Sequence, residues 1–334
     1  MIKEINDVAS LYSLNSNSPG IACLIQKSDD VLYQSYIGYK DSSRNLITKD
    51  SKFRIASITK QFTAAAVLQL VERGSIHVDS YINTVMKDLG PCTELITIHQ
   101  LLTHTSGIPD YEDFVHVQTG FNFSDADVYS EMSKDYKLNF EPGSSYSYSN
   151  TGYCLLAEVV RIVSGMSFKD YVESNVFPAG GMTNATVGPS NSPDRVYGFA
   201  AAESGWIFND QSIFSSTHGD GGIYASVTDL VNWQQNLYQN LRVITQHSLK
   251  TMTTPYILTN YANEFYGYGI AVTEIAGETC YIHHGTSTGF ENALFYIPNL
   301  KTSVALLANF NGTDLNIITV GKQLIEGNIQ EFKN

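Results

Sequence analysis

Strand-forming segments lie at both ends of this sequence, and helical segments lie between them. Near the amino terminus, IACLIQ (21–26) and VLYQSYIGYK (31–40) flank the turn-prone residues 27–30 and predict a β-hairpin. Beyond residue 200, the patterns predict strands at 265–272, 278–283, 293–298 and 303–309 and a last helix over 314–326. We therefore expect an α/β fold in which both termini contribute to one antiparallel sheet flanked by helices.

The middle of the chain has helical patterns. SITKQFTAAAVLQLVER (57–73) is rich in helix formers, is apolar on most sides and is followed by Gly74, so it predicts a buried helix with a glycine cap. Further helices are predicted after a capping box at 97–100, over 151–165, and from Ser167 to near Pro178. We expect residues 1–75 and 200–334 to form an α/β lobe and residues 76–199 a mostly helical lobe, with the active site in the cleft between them.

The charge and the cysteine pattern exclude several classes of function. The 20 Lys and Arg residues against 33 Asp and Glu residues give a net charge of −13, which disfavours binding to nucleic acid or to an anionic membrane. No apolar run is long enough for a membrane segment, and MIKEINDVASLY lacks the apolar stretch of a signal peptide. We expect a cytoplasmic protein if Met1 is the natural start, and a periplasmic or secreted one if the chain was trimmed. Four widely spaced cysteines are expected to be buried thiols: Cys23, Cys92, Cys154 and Cys280.

Two serine motifs compete for the role of nucleophile. Gly285-Thr-Ser287-Thr-Gly289 matches the G-x-S-x-G elbow of α/β-hydrolases, which requires a later histidine as base. The last histidine of the chain is His284, and a strand is predicted after the motif. We therefore interpret Gly285 and Gly289 as turn glycines.

The second motif is Ser57-Ile-Thr-Lys60, the one S-x-x-K in the sequence. Residues i and i+3 share one face of a helix, so the Lys60 amine can reach the Ser57 hydroxyl. Ser57 would lie at a helix N-terminus, where free backbone N–H groups stabilise developing negative charge. The apolar TAAAVL that follows would bury Lys60, and a desolvated lysine can lose its proton near neutral pH and act as a base.

Two further motifs complete a family pattern. Tyr148-Ser149-Asn150 lies in a Gly- and Ser-rich loop before a predicted helix, and His283-His284-Gly285 lies at the end of a predicted strand. With Ser57-x-x-Lys60, in this order, these residues resemble the S-x-x-K, Y-x-N and (K/H)-x-G motifs of the serine penicillin-recognising family. That family includes class C β-lactamases, D-Ala-D-Ala carboxypeptidases, D-aminopeptidases and related esterases. Other stretches typical of the family extend the resemblance over about residues 20 to 310: LLTHTSGIPDY, FEPGSSYSYSNTGY, GGIYASVTDLVNW and HHGTSTGF.

The resemblance implies a role for each matching residue. Ser57 would be the nucleophile that forms an acyl-enzyme, and Lys60 and Tyr148 would share the general-base work, with Tyr148 passing a proton to the leaving group. Which of these two starts deprotonated stays open. The backbone N–H groups of Ser57 and Thr286 would form the oxyanion hole. The residues expected to contact substrate are Asn150, His283, His284, Gly285 and Tyr111.

Each of these residues also has a simpler interpretation. Tyr148 and Tyr111 could be packing residues, and Asn150 could be a helix N-cap. His283 and His284 could bind a metal, although no accompanying metal-ligand motif is present. The segment 219–222 is interpreted as a turn and not as a phosphate-binding loop, because no Lys-Ser/Thr follows it.

One departure from the family pattern bears on the substrate. Class C β-lactamases usually have Lys-Thr-Gly at the third motif, whereas this chain has His283 and His284 before Gly285. A mostly neutral imidazole attracts an anionic substrate less than a lysine does. The expected function is a serine hydrolase without metal or organic cofactor that cleaves a small-molecule or peptide amide or ester. We rank a D-amino-acid or D-Ala-D-Ala type peptidase first, then a carboxylesterase, then a β-lactamase; a penicillin-binding sensor with little turnover is the alternative from another class.

Overall fold

The structure of the protein is a computed structural model that describes residues 14–115, 122–134, 136–189, 191–314 and 316–334. The stretch MIKEINDVASLY and Leu315, within the predicted last helix, lie outside the described residues. Within the described ranges, no helix combines the length and the apolar character that a bilayer-spanning segment needs.

Most strands belong to one antiparallel sheet. Its eight strands, β1, β2 and β8–β13, have the spatial order β2-β1-β13-β12-β11-β10-β9-β8. The strands in chain order are β1 Ile21–Lys27, β2 Asp30–Ile37, β3 Phe53–Arg54, β4 Thr186–Val187, β5 Phe199–Ala202, β6 Gly205–Phe208, β7 Ile223–Ala225, β8 Ile257–Leu258, β9 Phe265–Tyr266, β10 Ala271–Ile275, β11 Glu278–Ser287, β12 Phe290–Ile297, β13 Thr302–Ala308 and β14 Phe310–Asn311. The other strands of the described residues form two small sheets, β14-β5-β6 and β3-β7-β4.

The two ends of the chain meet inside the main sheet. The amino-terminal hairpin joins the carboxy-terminal strands through β1 and β13, which pair antiparallel from Ile21 with Ala308 to Lys27 with Thr302. This pairing confirms the predicted hairpin and the expectation of an antiparallel sheet shared by both termini and flanked by helices. The division of the chain into two lobes stays a prediction.

Helices cover both faces of the sheet. In the sequence, most of them lie between the amino-terminal hairpin and the carboxy-terminal strands. They are α1 Lys60–Glu72, α2 Ile82–Val85, α3 Ile98–Leu102, α4 Tyr111–Phe114, α5 Asp125–Glu131, α6 Asn150–Ser164, α7 Phe168–Tyr171, α8 Phe177–Gly180, α9 Val227–Gln234, α10 Gln246–Met252 and α11 Ile317–Lys333. Single 3₁₀ turns cover Ala56–Thr59, Pro91–Thr93 and Pro298–Leu300, and π-helical turns cover Val172–Val176 and Gln235–Gln239. The capping box before α3 is present as predicted, with Thr97 and Gln100 bonded to each other's backbone.

Side-chain alternation along the strands explains why both sheet faces are covered. Cys23 of β1 packs in the apolar cluster that contains α11, whereas its neighbour Leu24 packs in the cluster that contains α1 and α9. Successive strand residues point to opposite faces, so a strand that is apolar at nearly every position requires cover on both sides. The sheet is therefore buried on both faces, and the Ser57-x-x-Lys60 motif lies where α1 packs against it.

The structure corrects two sequence predictions near α1. The segment 265–272 is not one strand, because Gly267 to Ile270 separate β9 from β10. Gly269 has φ +70°, and a Cβ there would lie 2.5 Å from the backbone oxygen of Lys60, so this break lets the chain approach α1 closely. The helix predicted from Ser57 instead starts with a 3₁₀ turn, and the α-helical part begins at Lys60.

Candidate active site

Ser57 and Lys60 meet where the 3₁₀ turn leads into α1. Ala56 adopts φ +49°, a left-handed conformation that turns the chain sharply just before the serine. The Lys60 Nζ lies 3.1 Å from the Ser57 Oγ, which agrees with the contact predicted from their spacing. Lys60 is fully buried, whereas Ser57 is partly exposed. The hydroxyl therefore faces the cavity while the amine is shielded from solvent.

Two other acceptors hold the Lys60 amine. Its Nζ donates to the Asn150 Oδ1 at 2.8 Å and to the backbone oxygen of Asp220 at 3.0 Å. Both oxygens can only accept, so they occupy two N–H groups of Lys60 in either protonation state. The remaining position faces Ser57, where an ammonium would donate to the Oγ and a neutral amine would accept its proton. The geometry thus aims the lone pair of a neutral Lys60 at the serine hydroxyl.

The environment favours the neutral form of Lys60. Burial lowers the pKa of the Lys60 ammonium below its usual value, and the charge of Asp220 opposes this effect most strongly, followed by that of Asp110. Lys60 is thus a buried amine surrounded by carboxyl groups, the combination expected of a base that must accept and return a proton.

Tyr148 is kept protonated beside the serine. Burial raises the pKa of the Tyr148 phenol above its usual range, and a hydrogen bond with Ser57 lowers it only partly. The Lys60 Nζ lies 4.8 Å from the centroid of the Tyr148 ring. The phenol therefore shares a hydrogen bond with Ser57, while the lysine approaches the face of its ring.

His283 is a buried neutral imidazole. Its Nδ1 lies 2.7 Å from the backbone oxygen of His284, which can only accept, so the Nδ1 carries the proton. The Nε2 then accepts from the Tyr266 hydroxyl at 2.9 Å. Burial, and then the charges of His284 and Lys60, hold the pKa of His283 well below its usual value. His284 is exposed and lines the cavity. Desolvation by the surrounding residues, followed by the charge of Lys60, lowers the pKa of His284.

Gly285 lies in β11 and not in a turn, which corrects the sequence interpretation. A Cβ on Gly285 would lie 2.1 Å from the backbone oxygen of Ile55 and 3.0 Å from the backbone nitrogen of Ser57. The glycine therefore lets β11 pack directly against the segment that carries Ser57. Thr286 follows in the same strand, is exposed and lines the cavity with Ser57. Gly289, with φ +74°, occupies the hairpin turn as predicted.

Asn150 is the first residue of α6, and its side chain is turned to Lys60. The residue at the N-cap position is Ser149, which makes no side-chain cap, so the alternative interpretation of Asn150 as the N-cap is wrong. The backbone nitrogen of Asn150 donates instead to the Asp110 Oδ2 at 2.7 Å. Asp110 thus caps α6 from a neighbouring segment and leaves the Asn150 amide free to contact Lys60.

Tyr111 contributes to the cavity wall from beneath. It is fully buried, and its hydroxyl donates to the Asp220 Oδ2 at 3.0 Å and lies 3.1 Å from the Thr217 Oγ1. Tyr111 therefore fixes the position of the buried Asp220 carboxylate through a hydrogen bond. The turn that contains Asp220 is present as predicted, but the sequence interpretation gave Asp220 no part in the site.

Two further residues near the motifs were missed by sequence reasoning. The Glu112 Oε1 lies 3.4 Å from the Asn150 Nδ2, and burial followed by the charges of Asp110 and Asp220 raises the pKa of Glu112 to about 7. The His104 ring packs on the Tyr148 ring with centroids 4.2 Å apart. His104 lies in LLTHTSGIPDY, where the family resemblance was visible but a chemical role was not, and Glu112 directly follows that stretch.

The site contains one cavity of about 670 Å³, which Ser57, Tyr148 and Thr286 line. Apart from the imidazoles of His283 and His284, the charged groups that line the cavity within the described ranges are three carboxyl groups and one buried guanidinium: Glu112, Asp220, Glu264 and Arg54. Of the predicted substrate contacts, Tyr111, Asn150, His283 and His284 all line it. The cavity is large enough for a small amide or dipeptide.

A buried cluster lies behind the cavity wall. Donor atoms of Asp125, Cys154 and Asp220 lie within 4.8 Å of one another. Both oxygens of Asp125 accept backbone N–H groups, from His218 at 2.8 Å and from Gly219 at 3.0 Å, and Asp220 accepts from Tyr111. These contacts make it a hydrogen-bonded cluster, and we assign no metal ion to it.

Known proteins are similar to this chain in sequence and in fold. The chain is 28% identical over 310 residues to penicillin-binding protein 4* of Bacillus subtilis (strain 168), covering 85% of this chain and 66% of that protein. It is 26% identical over 300 residues to a D-aminopeptidase of Gluconobacter oxydans (strain 621H), covering 87% of this chain and 56% of that protein. The chain thus spans between about half and two thirds of the length of these relatives.

The fold comparison agrees. The crystal structure of a penicillin-binding protein from Bacillus halodurans superposes with a TM-score of 0.84 at 26% identity, covering 97% of this chain and all of the other. The sequence matches the family described as Beta-lactamase over residues 5–319, which is nearly the whole chain. The chain therefore belongs to the beta-lactamase family.

Proposed function

We propose that this protein is a serine hydrolase that forms an acyl-enzyme on Ser57 and cleaves the amide bond after an amino-terminal D-amino acid. The observation that carries the proposal is the contact of the Lys60 Nζ with the Ser57 Oγ at 3.1 Å, inside a cavity that Tyr148 and Thr286 also line. A nucleophile, a buried base and a phenolic proton donor are thereby in contact at one point.

Acylation follows from these contacts. The neutral Lys60 takes the Ser57 proton as the Oγ attacks the substrate carbonyl carbon, and the carbonyl oxygen becomes an oxyanion. The backbone N–H groups of Ser57 and Thr286 donate to that oxyanion, an arrangement in which each donor typically contributes about 10²–10³ in rate. Asn150 and the Asp220 carbonyl hold the new Lys60 ammonium in place.

The leaving group departs through Tyr148. The phenol gives its proton to the leaving nitrogen as the C–N bond breaks, and it recovers a proton from the Lys60 ammonium, which becomes neutral again. A water molecule then attacks the acyl-enzyme, with the same two groups moving its proton to the Ser57 Oγ. The high pKa of Tyr148 suits this role, since a protonated phenol is available at every neutral pH.

The charge of the cavity favours a substrate with a free amino group. Glu112 and Glu264 offer carboxyl groups to the cavity, whereas Arg54, its one lysine or arginine in the described residues, is only 4% exposed. Glu112 lies beside Asn150, where it can accept from the α-ammonium of the acyl residue. A carboxypeptidase or β-lactamase would instead need a cation for the substrate carboxylate, and His283 is neutral. The relative named D-aminopeptidase supports the same substrate class and its stereochemistry.

Turnover of a matched set of amides tests this proposal. D-alanine p-nitroanilide should be hydrolysed, its L-enantiomer and its N-acetylated form should be hydrolysed at least about tenfold more slowly, and Ser57→Ala should abolish turnover. Intact-protein mass spectrometry should detect the acyl group on the wild-type protein and not on Ser57→Ala.

Other substrates separate the alternatives. Release of D-alanine from N-acetyl-D-Ala-D-Ala would replace the aminopeptidase with a carboxypeptidase, and hydrolysis of a penicillin would replace it with a β-lactamase. A penicillin adduct that persists without turnover of any amide would indicate a sensor. Turnover of p-nitrophenyl esters alone would indicate an esterase.

A further inference from the structure

Asp220 places a carboxylate beneath the catalytic lysine. Its backbone oxygen accepts from the Lys60 Nζ at 3.0 Å, and the side chain of the same residue is only 6% exposed. Because the carboxylate and the carbonyl share one Cα, the carboxylate lies within about 8 Å of the Nζ by standard bond lengths. At that distance in a protein interior, two opposite charges interact appreciably.

The surroundings fix this carboxylate but leave its charge without a local cation. The fully buried Tyr111 donates to the Oδ2 at 3.0 Å, and the Oδ1 has no partner among the described residues. Asp220 makes no ion pair within 4.0 Å in the described parts of the chain. A buried charge held by one phenol acts at longer range than one neutralised at contact.

We propose that the buried carboxylate of Asp220 is the counter-charge of Lys60 and makes its amine a stronger base towards Ser57. Asp220 is a positioning residue in this sense, because it acts on the reaction through Lys60. The inference rests on the proposed function only in taking Lys60 as the base. When Lys60 takes the Ser57 proton, the ammonium that forms is stabilised by the carboxylate beneath it.

Other groups also face Lys60. Among the charges that favour its ammonium, Asp220 acts most strongly, ahead of Asp110, Cys154 and Glu112. The titratable or charged groups around the amine, from each packed segment, are Tyr148, Tyr153, Cys154, Asp110, Glu112, His104, His283, His284 and Asp220. Asp220 differs from the others because it combines burial with a direct backbone contact to the same amine.

The pH dependence of ester hydrolysis tests the inference. With p-nitrophenyl acetate, the acidic limb of kcat/KM reports the loss of the Lys60 proton in the free enzyme. Asp220→Asn removes the charge and keeps the backbone carbonyl, so it should move this limb by about one pH unit or more towards acid. The plateau at high pH should fall about threefold, because the amine is then a weaker base. Asp220→Ala should give the same shift, since it removes the same charge with a different shape.

The control is Glu158→Gln, which removes a buried carboxylate that pairs with Arg161, does not line the cavity and is not among the charges that act most strongly on Lys60. Its acidic limb should coincide with that of the wild type. A limb that stays in place or moves towards alkali in the folded Asp220 variants would overturn the inference. If Asp220→Asn does not fold, Asp220→Ala decides alone. p-Nitrophenyl acetate has no ammonium group, so this test does not depend on the proposed substrate. Failure to hydrolyse D-alanine amides would therefore refute only the proposed substrate. Ester hydrolysis that is independent of Ser57 would refute both the proposed function and this inference.

Discussion

The imidazole of His104 lies against the phenol ring of Tyr148, with ring centroids 4.2 Å apart and planes inclined by 33°. The Nδ1 of His104 accepts the backbone N–H of Ser149 at 3.1 Å, so the ring is held in the tautomer protonated on Nε2. His104 itself has φ +57°, in the left-handed region. A neutral, tightly positioned imidazole thus supports both the ring and the backbone of the Tyr148 motif.

We predict that the buried histidines make a contribution to stability that is lost below pH 6.5. Burial holds the pKa values of His104 and His283 well below the usual value, so the unfolded chain binds protons that the folded chain does not. This contribution is therefore fully present above about pH 6.5 and is lost as the pH falls below it. Each histidine should cost up to about 1.4 kcal/mol in the free energy of unfolding per pH unit. Urea unfolding at pH 7.5 and 5.5 measures the difference.

A matched pair of variants isolates the histidine contribution. His104→Asn removes the titration, and its amide oxygen can still accept the Ser149 N–H, so the loss between the two pH values should shrink. The exposed His247, changed to Asn, should leave the loss as in the wild type. Equal losses in all three proteins would contradict the assignment.

We predict that Tyr148→Phe slows amide cleavage much more than ester cleavage. The phenol protonates the leaving nitrogen, and such proton transfer contributes about 10²–10⁴ in rate. A p-nitrophenolate leaves without being protonated, so the ester reaction needs this step less. Parallel kcat/KM measurements on D-alanine p-nitroanilide and p-nitrophenyl acetate should show the difference, and an equal loss on both substrates would count against Tyr148 as the proton donor.

Sequence patterns predicted the fold well where periodicity and turn chemistry agree. The hairpin of β1 and β2, the capping box at Thr97 and the contact between Ser57 and Lys60 all depend on local residue types and are present. The break between β9 and β10 was missed, because FYGYGIAV reads as one apolar run. At that break, Gly269 passes close to the backbone of Lys60. These two residues are more than 200 positions apart in the sequence, so no local pattern indicates the contact.

The same distinction explains what was missed in the site. Ser57 and Lys60 are three residues apart, and their contact follows from helix geometry. Asp220 contacts Lys60 from 160 residues away, and its sequence setting, Gly-Asp-Gly-Gly, indicates only a turn. Residues whose role comes from tertiary contact carry no local signal, which is why the carboxylates around Lys60 were visible only in the structure.

We predict that Gly285→Ala impairs catalysis by separating β11 from the nucleophile. The new Cβ would lie 2.1 Å from the backbone oxygen of Ile55, which cannot yield as a flexible side chain can. Displacing the strand moves the Thr286 N–H away from the Ser57 N–H, so kcat should fall about 10²–10³-fold. The free energy of unfolding should fall by about 1–3 kcal/mol. The control is Gly152→Ala in α6, where the new Cβ would lie 3.5 Å from its nearest neighbour, the backbone oxygen of Leu101. This variant should change neither kcat nor the free energy of unfolding appreciably. Comparable kcat values for the two variants would refute the role of the close approach.

The last prediction concerns the amino group of the substrate. The pKa of Glu112 is about 7, so its carboxylate is present above that pH, whereas an α-amino group is protonated below about pH 8. Both partners of the ion pair therefore coexist between about pH 7 and 8, and KM for D-alanine p-nitroanilide should be lowest in that window. Glu112→Gln should raise KM there about tenfold with little change in kcat, because the lost contact is made equally in the ground and transition states. N-acetyl-D-alanine p-nitroanilide has no ammonium and should show neither the window nor the effect of the substitution. A KM for the free amine that Glu112→Gln leaves unchanged would place the ammonium elsewhere in the cavity, where Glu264 is the other partly exposed carboxyl group in the described lining.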